Sequence, residues 1–111
     1  MSVHKKEEFK EYKDKVNERI SRKFLVGEKG MVMIMTLKKG CIFSMHKHPE
    51  EQFTYIVKGK LKYEIAGKEA VILTDGDAVH LPSNVGHGGG EALEDTLVLD
   101  IFTPVRKELL P

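Results

Sequence analysis

GCIFSMHKHPEEQFTYIVKG, residues 40–59, sets three candidate metal ligands between two glycines: His46, His48 and Gln52. Successive side chains of a strand alternate faces, so two histidines two apart put both imidazoles on one side, where a single cation bridges them. Pro49 has no amide proton to give a ladder and ends or bends the strand, after which the chain turns and returns Gln52 beside the histidines. Glu50 and Glu51 are alternative oxygen ligands in the same turn. Two histidines near a turn are also an ordinary surface feature, so the ligand reading depends on what surrounds them.

Outward from this stretch the apolar period is two. Segments 20–26, 31–38, 52–58, 60–66, 69–74, 77–81 and 95–103 are predicted as short strands, punctuated by Gly27-Glu28-Lys29-Gly30, Lys39-Gly40, Lys58-Gly59-Lys60, Ala66-Gly67-Lys68 and Asp75-Gly76. Many short strands between glycine turns specify an all-β barrel or sandwich. Segments 52–58 and 60–66 are expected to pair as a hairpin across Gly59. Met31, Met33 and Met35 share one strand face, either filling gaps in a core or lining a pocket. The run Gly88-Gly89-Gly90 either leaves room for a bulky ligand or marks a bulged, mobile loop. Only the beginning has a different period. In KKEEFKEYKDKVNERI, residues 5–20, Phe9, Tyr12, Val16 and Ile20 recur at spacings of three and four, which predicts a short amphipathic helix. The expected division is a helical segment over residues 1–20 and a β-barrel domain over residues 21–111.

A chain of 111 residues suffices for one domain with a core. With 18 basic and 17 acidic side chains interspersed and a net charge of +1, neither nucleic acid nor an anionic membrane is an expected partner. No apolar run is long enough to span a bilayer and the first residues carry no apolar signal stretch, so a cytoplasmic protein is expected. Cys41, the single cysteine, has no internal partner and is expected as a buried, inert thiol. Gln52 is the only glutamine, and it stands in the histidine cluster.

The spacing G-x5-H-x-H-x3-Q-x6-G resembles the first motif of the cupin superfamily, with glutamine where many cupins carry glutamate. Downstream, Gly76-DAVHL-Pro82-S-Asn84-VG-His87 resembles the second cupin motif, G-x5-P-x-G-x2-H-x3-N. Asn84 replaces a glycine there, and asparagine tolerates the left-handed backbone that glycine usually supplies. Glu91 replaces an asparagine, and Gly86 stands where proline often precedes the histidine. The resemblance implies a small jelly-roll barrel and makes His87 the third imidazole. His80 falls on neither motif's ligand position and is expected as a core or surface side chain. Three imidazoles and one carboxamide suit one divalent metal ion per subunit, Ni, Zn, Mn, Fe or Co. Glutamate would cancel one unit of the ion's charge, whereas neutral Gln52 leaves the full charge facing the pocket and favours an anionic substrate.

The last predicted strand reads Leu97-Val98-Leu99-Asp100-Ile101-Phe102, followed by Thr103-Pro104-Val105-Arg106. A carboxylate on the Val98, Asp100, Phe102 face must be paired, bound to something, or costly by several kcal/mol. Either Asp100 shares the barrel lumen with the metal, or it faces solvent or pairs with Arg106. HPEEQ, NVGHGG and the terminal DIFTPVR together resemble the KdgF-type cupins of pectin and alginate breakdown, over about Ser21 to Arg106. That resemblance implies metal ligation by His46, His48, Gln52 and His87, proton transfer by Asp100, substrate packing on Phe102 and carboxylate binding by Arg106. It implies an enzyme that converts 4,5-unsaturated monouronates, small anionic sugar acids, to their linear keto forms. A metal-dependent dioxygenase, another isomerase, or a non-catalytic sugar- or metal-binding cupin are the alternatives. Open strand edges and the stripe from Phe9 to Ile20 lead to the expectation of a homodimer.

Overall fold

Every segment with a period of two forms a strand, and the strands stack as two antiparallel sheets. The computed structural model describes all residues, 1–111. In chain order the strands are β1 (Tyr12–Lys13), β2 (Ile20–Val26), β3 (Met31–Leu37), β4 (Ile42–Phe43), β5 (Glu51–Lys58), β6 (Lys60–Ile65), β7 (Val71–Thr74), β8 (Ala78–Leu81), β9 (His87–Ala92) and β10 (Thr96–Thr103). One sheet has the order β1-β2-β3-β10-β5-β8 and the other β4-β9-β6-β7.

Strand alternation places the core between the sheets. On β10, Thr96, Val98, Asp100 and Phe102 are buried, while the residues between them are half-buried or exposed. Ile20, Leu37, Cys41, Ile56, Leu61, Tyr63, Leu73, Leu81, Ala92 and Val98 fill one end of the barrel. Met31, Met33 and Phe102 form a second cluster at the other end, covered by Val105, Leu109 and Leu110. The methionine row divides accordingly: Met31 packs in that cluster, whereas Met33 and Met35 also line a cavity. Cys41 is buried and free, as expected.

Two local expectations are corrected, and one left open is narrowed. The helix expected over residues 5–20 is reduced to one 3-10 turn at Lys6–Glu8, and Tyr12–Lys13 instead pairs with Ser21 and Arg22 at the sheet edge. Asp14 explains the change: its carboxylate accepts from the amides of Val16 (2.9 Å) and Asn17 (2.7 Å) and holds Arg22 at 2.8 Å. Such side-chain bonds to nearby amides compete with a helical ladder. Ile20 joins the core while Val16 is fully exposed, so the stripe is not a contiguous surface.

The hairpin expected across Gly59 does not form either. β5 pairs with β10 and β8, and β6 pairs with β7 and β9, so the chain crosses between sheets at this residue. Gly59 has φ 121, its amide donates to Asp75 Oδ1 at 2.7 Å, and a Cβ would meet the Thr96 Cα at 2.6 Å. One glycine makes a corner where a two-residue loop would make a hairpin. The glycine triplet, left open between space for a ligand and a bulged loop, lies inside β9 with Gly88 and Gly89 at positive φ, beside a register shift between Lys62 and Glu64. It is a bulged strand with a buried wall, not a loop.

Candidate metal centre

Barrel closure sets the imidazoles together. His46 forms an isolated bridge to His87, with both backbone hydrogen bonds at 2.8 Å, and their rings meet edge to face at 4.5 Å. His48 lies beyond the bridge, outside any strand, its ring 4.9 Å from that of His87 and 5.8 Å from that of His46. Gly88 permits this approach: a Cβ there would stand 2.8 Å from the Ser44 carbonyl oxygen and 3.4 Å from His46 Nδ1. Asn84, at φ 62, takes the left-handed conformation its motif position requires.

Each ring commits Nδ1 to a carbonyl: His46 to Ser44 at 3.2 Å, His48 to Glu50 at 3.0 Å and His87 to Val85 at 2.8 Å. Nδ1 therefore carries the proton and each Nε2 presents a bare lone pair. One ligand atom from each of the three rings lies within 4.8 Å of the others, and Nε2 of His87 is buried with no protein partner. Burial pushes His87 down to about 4, and partial desolvation lowers His46 as well even though that residue is exposed, so both are neutral and able to ligate at pH 7.

Gln52 completes the cluster, its Oε1 2.9 Å from Nε2 of His48. Two lone pairs facing each other repel unless a cation sits beside both, and adjacent ligands each about 2.1 Å from one ion stand about 3 Å apart. The amide is oriented from behind: its Nε2 donates to Thr54 Oγ1 at 2.8 Å and Asp100 Oδ1 at 3.2 Å, so its oxygen turns to the histidines. The residues present fit a divalent ion. Glu51 is not an alternative ligand, because it turns outward to His80 at 2.6 Å. Glu50 approaches His48 only at Nδ1, at 3.5 Å, the nitrogen that donates to the carbonyl. His80 is exposed and stacks on Phe53, a surface role.

Asp100 faces the lumen. It is 4% exposed and accepts a 2.6 Å bond from Thr54 Oγ1 beside the Gln52 bond. Burial pushes its carboxyl up to about 6, against the opposing pull of those two bonds and of Arg106 and Arg22. The ion pair with Arg106 is not made: Arg106 Nε binds Glu108 at 2.8 Å, and the guanidinium lies 5.5 Å over the Phe102 ring, itself 5.6 Å from His48. His46, Gln52, His87, Asp100, Phe102 and Arg106 line one cavity of about 260 Å³. Sequence reading missed Thr54, Tyr63 and Arg22 in its wall. Thr54 was accessible, two residues beyond Gln52 on the same strand face. Arg22 carried the signal that exposed Asp100, a charge between inward apolar neighbours, here Ile20 and Phe24.

A double-sheet barrel with three convergent histidines at one end defines a cupin. A family model of the cupin domain matches residues 33–102, and the chain belongs to the cupin family. Within it the chain is KdgF-like: it is 31% identical to KdgF from a Halomonas species, with 98% of this chain and 100% of that one covered at a TM-score of 0.86. It is 28% identical over 99 residues to the pectin degradation protein KdgF of Dickeya dadantii, 87% of this chain and 89% of that protein. An RmlC-like cupin from Shewanella frigidimarina shares the fold at a TM-score of 0.87 and 23% identity, covering 99% and 96%. No helix is long and apolar enough to cross a membrane.

Proposed function

We propose that the protein is a metal-dependent enzyme that converts 4,5-unsaturated monouronates from pectin or alginate to the linear keto form. The observation that carries this reading is Asp100, a buried carboxyl hydrogen-bonded to Gln52, in the same cavity as two of the clustered histidines and Arg106. The Dickeya dadantii relative, named for pectin degradation, supports the substrate class.

His46, His48, Gln52 and His87 would hold one divalent ion, which when bound would supply Lewis acidity at a substrate oxygen. Arg106 takes the uronate carboxylate in its planar fork, and Phe102 packs the sugar beneath that guanidinium. Ring opening frees the anomeric hydroxyl proton and breaks the ring C–O bond, the bonding pair going to the ring oxygen as an enolate; ketonisation returns that one proton to the alkene carbon. Asp100, with its proton held near neutrality, accepts it in the first step and delivers it in the second, so the reaction is an isomerisation with no net proton change. The neutral Gln52 leaves the ion's charge to the anion. The β-domain begins at its edge strand, Tyr12–Lys13, with the residues before it as an added segment. The enzyme works as a homodimer in the cytoplasm, where an unpaired cysteine stays reduced.

The test is metal-loaded wild-type protein with unsaturated galacturonate and unsaturated mannuronate, followed by loss of ultraviolet absorbance. No loss with Ni, Zn, Mn, Fe or Co overturns the reading, and oxygen uptake in its place points to a dioxygenase.

A further inference from the structure

The lumen holds a second guanidinium that the reaction described above does not use. Arg22 projects from the inner face of β2, in register with Met35 and, through it, with Val98. Its neighbours on that face are Ile20 and Phe24, and its side chain is 20% exposed. It lines the same cavity as Asp100 and Arg106. Nη1 is anchored on Asp14 at 2.8 Å, and Asp14 is in turn fixed by two backbone amides. Nε is buried and has no protein partner. A charged donor left unpaired inside a barrel is costly, whereas an apolar residue at the same position would carry no such penalty.

The strand registers give its place relative to the chemistry. Gln52 pairs with Phe102, Thr54 with Asp100, and Ile56 with Val98, so three inward layers succeed one another along the barrel. The clustered histidines belong with the first layer, the proton-transfer carboxyl is the second, and Arg22 belongs to the third. Each layer is about 7 Å from the next along the strand, and β2 lies about 10 Å across the sheet from β10. The electrostatics agree: both arginines pull the Asp100 carboxyl down, whereas Arg106 alone of the two acts on His46 and His87. Asp100 therefore stands between two guanidiniums, one beside the metal centre and one beyond it.

We propose that Arg22 is a substrate-binding residue that reads the end of the sugar acid remote from its carboxylate, donating its free Nε–H to a carbonyl or hydroxyl oxygen there. Asp14 is a positioning residue, holding the guanidinium so that Nε turns to the lumen. This rests on the uronate reading and adds a specificity for chain length: a six-carbon acid reaches both arginines, and a two-carbon acid reaches only Arg106. A pocket that hydrogen-bonds a distal oxygen rejects acids lacking it.

The experiment is calorimetric binding of galacturonate and of glycolate to the metal-loaded full chain. Arg22→Lys keeps the charge against Asp14 and loses the planar donor. It should weaken galacturonate about tenfold or more and leave glycolate within twofold. Arg106→Lys should weaken both acids. Arg22→Gln serves as the second variant and should repeat the Arg22→Lys pattern, and Asp14→Asn should show it in milder form. Wild-type galacturonate affinity in a folded Arg22→Lys or Arg22→Gln protein, or equal weakening of both acids, overturns the inference and leaves the uronate reading intact. A wild-type protein that binds neither acid overturns both.

Discussion

The lone-pair conflict between His48 Nε2 and Gln52 Oε1 is the sharpest statement in the site, because each atom's partner elsewhere fixes its role. His48→Ala removes the ring at the centre of that arrangement, and elemental analysis should find the ion lost. Gln52→Glu keeps an oxygen at the same place and should retain metal, but its added charge faces Asp100 and cancels part of the ion's, so calorimetry should show anionic ligands bound less tightly. Full occupancy in a His46→Ala/His48→Ala protein would sink the assignment. Asp100→Asn preserves shape and removes the titratable group, so turnover should fall about 100-fold or more with metal content and ligand binding kept. A wild-type rate in that protein makes the carboxylate structural. The sequence made most of this legible through motif spacing and one charge in an apolar alternation. It could not show that Asp100 grips Gln52 rather than Arg106, since that choice depends on the distance across two strands.

At the scale of elements, the strands were legible and their partners were not. Alternation gives each strand's face, but whether 52–58 and 60–66 share a sheet is decided by one backbone angle at Gly59. Gly59→Ala tests that corner: with φ 121 and the Thr96 backbone in the way of a Cβ, the change should cost about 2 kcal/mol or more and lower the midpoint of thermal unfolding by roughly 10 °C. An unchanged midpoint would mean the corner relaxes freely. The edge strand β1 illustrates the reverse failure, in which a helical period was outweighed by hydrogen bonds centred on one carboxylate. The Arg22 hydrogen bond, followed by the Asn17 amide, holds Asp14 down at about 2. Because that value lies below the usual 3.8, the pair's stabilisation is full above pH 4 and is lost as pH falls towards 2. Partial exposure limits it to about 1 kcal/mol, and Asp14→Asn should flatten this part of the acid-unfolding curve by that amount.

For the whole molecule, the outer face of the larger sheet is the surface that bears on assembly. Ile101 sits between Val32 and Phe53, and Leu99 between Ile34 and Tyr55, giving two apolar rows across β3, β10 and β5 with no charge among them. Phe53, Tyr55 and Ile101 are 42%, 45% and 38% exposed. Of the two grounds for expecting a dimer, open strand edges and the stripe of Phe9, Tyr12, Val16 and Ile20, the stripe is broken because Ile20 is buried, and this face is the apolar surface that remains. An uncharged patch offers a foreign partner little to select on, whereas a second copy related by a two-fold axis presents the same apolar rows to it. The histidine cluster opens inside the barrel, on the other side of the sheet, so a contact between two copies on this face would leave the candidate site untouched. Tyr55→Lys/Ile101→Lys should give a monomer by light scattering at concentrations where the wild type is a dimer, with metal content unchanged. A wild-type protein that stays monomeric at high concentration removes the dimer, and a dimer that survives both lysines moves the interface elsewhere.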